Sequence, residues 1–186
     1  LLEQIIQWDQ SLFELLNGQW HNGVFDLLIP LFRNKYFWIP LYVFLLGFIL
    51  QNFPKASWKY LLLILLTIVL TDQLSSTLIK PWIDRCRPCN LEPFNEQVRL
   101  LVKCGSGRSF VSSHAANHFG LATVLSSFFG KYFKGFALGL ICWAATISYG
   151  QVYVGVHFPI DIFCGALLGI CCGFLLAFLG KKTMNL

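Results

Sequence analysis

The chain has 186 residues, 56% of them apolar and only 12% charged, with 18 Phe and a formal charge of +5. A soluble domain carries about a quarter charged residues, so this composition excludes an ordinary water-soluble globule and points to lipid as the main solvent. The basic residues sit in short loops between apolar runs rather than along one polar face, which excludes a nucleic-acid partner.

Residues 2–17 place Glu3, Gln7, Gln10, Glu14 and Asn17 on one stripe and Ile5, Trp8, Leu12 and Leu16 on another. That helical period predicts an amphipathic helix lying in the membrane interface. Residues 22–33 are apolar but too short to cross a bilayer alone. Five spans follow, at 36–53, 57–79, 112–130, 134–151 and 158–180, each near the ~20 residues that cross ~30 Å of hydrocarbon. The first is short and contains Pro40, and the count becomes six if residues 22–33 insert with it. The expected architecture is therefore all-α, a polytopic membrane helix bundle over 36–180, with interfacial helices in 1–33. No polar linker or internal repeat divides it, so 1–186 reads as a single domain. No N-terminal stretch has the basic region and cleavage site of a secretory leader, so none is set aside. Gly165, Gly169 and Gly173 form a smooth stripe on the last span, and Gly135 and Gly139 repeat the spacing. Packing of helices within one chain is the favoured reading of such stripes, with a monomer or weak dimer expected.

Five spans alternate the connections between two sides. One side receives Lys55, Lys59, Lys131, Lys134, Lys181 and Lys182 without any acidic residue, which the positive-inside rule assigns to the cytoplasm. The other receives the N-terminal helix, a long 80–111 loop and the 151–157 connection, and is expected to be extracytoplasmic.

Three polar clusters fall on that second side. The first, KPWIDRCRP, holds Lys80 and Arg87 seven residues apart, about two turns if one helix runs to Pro88. The second, RSFVSSHAANH, offers Ser112 or Ser113 as an N-cap, leaving free N–H groups beside His114, where phosphate binds readily. The third, GQVYVGVHFPID, sets His157 and Asp161 four apart, so that the carboxylate can accept the Nδ1–H and stabilise an imidazolium. Each is weak alone: cations at a span end are commonly anchors, and Ser-Ser before a helix is commonly a cap. Their convergence on one side supplies cations, a helix N-terminus, two histidines and an orienting carboxylate, which is a phosphoryl-transfer inventory without a metal site.

In this order and spacing the clusters resemble the three motifs of the membrane type 2 phosphatidic acid phosphatase family, which shares its site with vanadium haloperoxidases. Lys80 through Arg87-Pro88 meets the first motif in full, Val111-Ser112-Ser113-His114 stands for Pro-Ser-Gly-His, and Gly150-Gln151 stands for Ser-Arg ahead of His157 and Asp161. The resemblance implies that His157 attacks phosphorus and forms a phosphohistidine, that Asp161 orients it, and that His114 protonates the leaving oxygen. It further implies phosphate binding by Lys80, Arg87, Ser112 and the N–H groups near Ser113 and His114. Gln151 at the family's Arg position predicts one neutral amide donor facing the phosphate, with Arg108 or Arg85 as candidates to replace the lost charge. The implied function is metal-independent removal of phosphate from a lipid phosphate or diphosphate at the outer face of a bacterial inner membrane, with no cofactor. Undecaprenyl diphosphate, phosphatidic acid, phosphatidylglycerol phosphate and lipid A remain open as substrates. The rivals are a degenerate lipid-phosphate binder or transporter, favoured by Gln151, and a vanadate-dependent peroxidase, disfavoured by the membrane frame.

Asp72 inside an apolar run and His118 one turn beyond His114 admit structural as well as functional readings. Of seven Cys, Cys142, Cys164, Cys171 and Cys172 read as apolar fillers of spans. Cys86, Cys89 and Cys104 lie in the long loop. A Cys89–Cys104 disulfide is preferred over Cys86–Cys104, because Cys86 sits between the phosphate-binding cations.

Overall fold

The structure, a computed structural model, describes residues 1–184. Helix α1 (Leu2–Phe13) continues into a π-helical turn over Glu14–Gln19 and is followed by α2 (Gly23–Phe32) and α3 (Ile39–Asn52). Helix α4 (Ser57–Asp72) runs through a π-helical stretch, Gln73–Ile79, into the single turn α5 (Lys80–Ile83). A long loop leads to α6 (Ser113–Phe129), α7 (Phe136–Tyr153) and α8 (Pro159–Thr183). The class is all-α, with no strand among the described residues.

The helix starts follow local chemistry. Asn22 caps α2 by accepting the Phe25 N–H, and Ser112 caps α6 by accepting the Ala115 N–H. Proline occupies the first turn of α3 and α8, where a missing N–H costs no helical bond. Lys181 and Lys182 fall in the last turn of α8, where cations meet the negative end of the helix dipole.

The helical run that begins at Ser57, together with Phe136–Tyr153 and Pro159–Thr183 of 18 and 25 residues, is long and apolar enough to cross a membrane. The other two expected spans form helices of 14 residues (α3) and 17 residues (α6). The short apolar piece before them is a helix of 10 residues, α2.

Helix α6 is the centre of the bundle, with Ala115, Ala116, Ala122, Val124 and Leu125 buried. Helix α8 lies directly on it along the glycine stripe. A Cβ on Gly169 would collide with the Ala116 carbonyl, and one on Gly173 would come within 2.7 Å of the Gly120 carbonyl oxygen. The stripe therefore packs within the chain, as its spacing suggests. Gly135 and Gly139 do not repeat it: a Cβ at either meets nothing within 4 Å.

The two ends of the bundle differ. At one end Lys59 Nζ donates to the Met184 carbonyl and Lys181 lies over the Phe128 ring, beside the edge-on and tilted rings of Phe53, Tyr60 and Phe129. At the other end the start of α6 meets the start of α8, where the Ser112 N–H donates to the Asp161 carbonyl at 2.9 Å. The three polar clusters share this second end.

Helix α1 is largely exposed, polar and apolar residues alike, and meets the chain at Asp9 and Phe13. Ile5, Trp8 and Leu12 are exposed, whereas Asp9 and Asn17 are buried against the chain. Asn17 Nδ2 donates to the carbonyls of Arg99 and Tyr153 at 2.9 and 2.8 Å, and its Oδ1 accepts the Arg99 N–H. An apolar face turned outward costs little when the surroundings are lipid.

Candidate active site

The turn between α7 and α8 is made by Gly155 at φ +87, where a Cβ would also press to 2.8 Å from Val98 Cγ1. Glycine alone meets both demands. Beyond it His157, only 2% exposed, faces the first turn of α8. Asp161 Oδ2 accepts the Phe158 N–H at 2.8 Å and the Ser109 hydroxyl, while His157 Nδ1 lies 3.4 Å from that oxygen and 3.3 Å from Ser109 Oγ. Asp161 Oδ1 accepts Arg85 Nη1 at 2.7 Å. The other arm of Arg85, Nη2, donates to Asp9 Oδ2 at 2.6 Å, and Asp9 Oδ1 takes the Ile160 N–H at 2.9 Å. Burial raises the Asp9 carboxyl above its usual range against the pull of Arg85.

Burial also pushes His157 down to about 4, outweighing the opposite effect of Asp161. The ring is therefore neutral near pH 7. Its partners assign the proton to Nδ1, facing the carboxylate, and leave a lone pair on Nε2. Arg87 Nη1 stands 3.2 Å from that Nε2.

Arg87 is held by carbonyls rather than by acids, donating Nε to Gly107 at 2.9 Å and Nη1 to Val156 at 3.0 Å. A Cys89–Cys104 disulfide, with Cα atoms 6.2 Å apart, closes the loop beside it. Asn90 Nδ2 adds a bond to the Gly105 carbonyl. Lys80 Nζ donates to Ser113 Oγ at 2.9 Å, and that oxygen also meets Ser75 and Ser76. Among the described residues neither Lys80 nor Arg87 has a carboxylate within ion-pair distance. His114 sits in the first turn of α6, in the electrostatic field of Lys80, Arg33 and His157. The N–H groups of Ser113 and His114 have no intrahelical acceptor there. A cavity of about 530 Å³ opens from Ser113 and His114 and continues past Asp72 between apolar residues such as Leu45, Leu61 and Ile68.

Several expectations need correction. The helix bearing Lys80 stops at Ile83, and Asp84 turns the chain at φ 52. Arg87 is extended (φ −74, ψ 154), so it meets His157 through a loop rather than along a helix face. Ser112 is fully buried, its hydroxyl oxygen capping α6 by accepting the Ala115 N–H and its own N–H donating to the Asp161 carbonyl, so only a buried O–H remains to it as a donor. Gln151 is fully buried and its amide does not face the anion side: Nε2 donates to the Ile147 carbonyl, and Oε1 accepts from Arg33. Arg108 pairs with Asp84 at the surface, and Arg85 is taken up by Asp9 and Asp161. Neither supplies a free charge. His118 donates to the His114 carbonyl at 2.8 Å and rests edge-on against Trp143, which is a structural role. Asp72 accepts from Ser76 at 3.4 Å.

Ser109, Asp9 and Arg33 were not singled out from the sequence. Ser109 lies inside the second cluster but outside its motif spacing. Asp9 carried one faint signal, an acid just off the polar stripe of α1.

The PAP2 superfamily model matches residues 56–184, which contain all three clusters. The chain belongs to the PAP2 superfamily. This PAP2 chain is 35% identical over 185 residues to a lipid A 4′-phosphatase of Bacteroides thetaiotaomicron, covering 98% of this chain and 81% of the relative. Its fold resembles the crystal structure of Aquifex aeolicus LpxE at TM-score 0.67 and 32% identity, covering 89% of this chain and 92% of that one. It also resembles a PAP2-type phosphatidylglycerolphosphate phosphatase from Bacillus subtilis at TM-score 0.76, covering 97% and 88%; at 22% identity that likeness concerns the fold alone.

Proposed function

We propose that the chain is a lipid phosphatase that works through a phosphohistidine on His157. The observation that carries this reading is the pairing of a neutral, buried His157 with Arg87 and Lys80, which among the described residues form no ion pair with a carboxylate. The His157 Nε2 lone pair attacks phosphorus, and the bond from phosphorus to the lipid oxygen breaks. His114 gives its proton to that leaving oxygen. His114 then takes a proton from water as the water attacks the phosphohistidine, which releases inorganic phosphate and restores His157. Asp161 stabilises the ring as it acquires charge. Lys80, Arg87 and the N–H groups of Ser113 and His114 hold the equatorial oxygens, where charge is spread in the transition state.

The apolar cavity beginning at His114 suits the hydrocarbon of a lipid whose phosphate reaches the cations. The relative at 35% identity, named a lipid A 4′-phosphatase, makes lipid A the first substrate to test. Undecaprenyl diphosphate, phosphatidylglycerol phosphate and phosphatidic acid complete the panel. Phosphate release from detergent-solubilised chain should be seen with at least one of them and persist in EDTA. Specific binding without release from any of them would favour a lipid-phosphate binder instead.

The placement we propose is a bacterial inner membrane with the site facing outward, because the lysine-rich connections lie at the opposite end of the bundle. A single cysteine introduced at position 95 should react with an impermeant reagent in intact cells, and one at 131 only after permeabilisation. The reverse pattern would put the site in the cytoplasm.

A further inference from the structure

Gln151 occupies the position at which the third PAP2 motif carries an arginine, and its surroundings are not those of a simple loss. Its Oε1 accepts two bonds from one guanidinium, Arg33 Nε at 3.3 Å and Nη2 at 3.1 Å, across 118 residues of sequence. Its Nε2 is directed the other way, into its own helix at the Ile147 carbonyl, 3.2 Å away. The amide is thus used as a fixed acceptor. The preceding residue completes the arrangement. A Cβ on Gly150 would stand 3.2 Å from Ile29 Cγ2 and 3.5 Å from Arg33 Cβ, so its bare backbone lets α2 lie against α7. Where the motif has Ser-Arg, this chain has Gly-Gln. Gly150 makes room for α2, and Gln151 takes hold of the arginine at its end.

Arg33 itself is the residue that ends α2, where the helix dipole favours a cation. Among the described residues it has no carboxylate partner. A guanidinium has five N–H donors, and the two bonds to Gln151 leave three for another acceptor. It also lies in the right place: its charge acts on Arg87 and on His114, the two groups that flank the proposed phosphate position. A partly buried cation within the field of another, with no ion-pair partner, is costly unless an anion joins them.

We infer that Arg33 is a phosphate-binding residue, supplied from α2 and anchored by Gln151, and that it takes the place of the third motif's arginine. The inference rests on the lipid phosphatase reading above. Its remaining N–H groups bind a phosphate oxygen together with Arg87 and Lys80, so that the site keeps its full cation count with one guanidinium delivered by a different helix.

Reciprocal replacement tests this. Arg33→Ala should lower kcat/KM by about 10²-fold, the usual cost of one lost oxyanion donor. The double variant Arg33→Ala/Gln151→Arg, which returns the guanidinium to the motif position, should recover to within about tenfold of wild type. Damage to packing alone would not be repaired by adding a second large change in the same place. If Arg33→Ala does not survive extraction, Arg33→Lys keeps the charge without the fork, and a loss of at least about fivefold is expected from it. Arg33→Ala within threefold of wild type, Arg33→Lys equal to wild type, or a double variant no better than Arg33→Ala would each overturn the inference. His157→Ala, measured alongside, separates the two levels. If it stays active the phosphatase reading fails, whereas a dead His157→Ala beside an active Arg33→Ala removes only Arg33 from the site.

Discussion

Arg85 and Arg87 leave the same loop two residues apart and end in opposite electrostatic settings. Arg85 is enclosed by carboxylates, one arm on Asp161 and the other on Asp9. Arg87 meets carbonyl oxygens and the Nε2 of His157, and among the described residues it pairs with no acid. The same contrast divides the whole site. On the side of His157 Nδ1, every charge is answered within the protein by Asp161, Ser109, Arg85 and Asp9, and this fixes the ring. On the side of Nε2, Lys80 and Arg87 have no carboxylate within ion-pair distance among the described residues. A cation answered by a buried carboxylate can position but cannot bind an anion. A cation answered only by neutral dipoles keeps its charge for one. Residue type and proximity to the site do not distinguish the two arginines; their partners do.

The largest test of this division is at the ring that joins the two sides. His157→Ala should lower turnover by more than the roughly 10²–10⁴-fold that a positioned acid or base contributes. His114→Ala should fall inside that range. Both proteins should elute from detergent as the wild type does, and phosphate release measures the loss. A His157→Ala variant within a factor of two of wild type would remove the nucleophile from this mechanism.

Next comes the arginine pair itself. Arg87→Ala should lower kcat/KM by about 10²-fold or more while the thermal midpoint changes little. Arg85→Ala should do the reverse in emphasis. It strands two buried carboxylates, a change that costs about 3 kcal/mol or more, so the midpoint should drop sharply. Asp9→Asn should lower it less, because Arg85 keeps Asp161. Equal stability losses at positions 85 and 87 would erase the distinction.

The disulfide supports only the anion side, since it braces the segment that carries Arg87. Cys89→Ser should cost about 3 kcal/mol for a closure of this length. Its activity should fall through binding, with KM rising more than kcat drops. A stability loss with unchanged KM would mean that the bridge only staples the loop.

The smallest expected effect is in pH. His157 is held down to about 4 in the folded chain, against 6.5 for an ordinary histidine. Between those values the unfolded chain binds a proton that the folded chain does not, so this group's contribution is intact above about pH 6.5 and is lost as pH falls towards 4. The thermal midpoint should fall across that window in wild type, and fall less in His157→Asn. An identical slope in both would mean that the ring is not kept neutral by its site.

What could be read from the chain alone was whatever a local period encodes. Apolar runs near the length of a bilayer located the helices, and the glycine stripe of α8 located the surface that meets α6. His157 and Asp161 were legible because four residues are one helical turn, and Lys80, Arg87 and His114 because their spacing resembles the family's motifs. The preference for Cys89 over Cys86 came from the same local reasoning. What the chain alone could not show is which groups answer one another across large separations. Gln151 read as a weak phosphate donor and Arg108 as its replacement, yet Gln151 holds Arg33, 118 residues away, and Arg108 pairs with Asp84. Asp9 and Arg85 are 76 residues apart, and nothing in either neighbourhood announces the other. Sequence spacing constrains side chains on one element, where the backbone fixes their relative directions. Between elements the direction depends on how two helices pack, and here that was decided by the missing Cβ of Gly150 and by burial that left Gln151 no partner but Arg33 and its own helix.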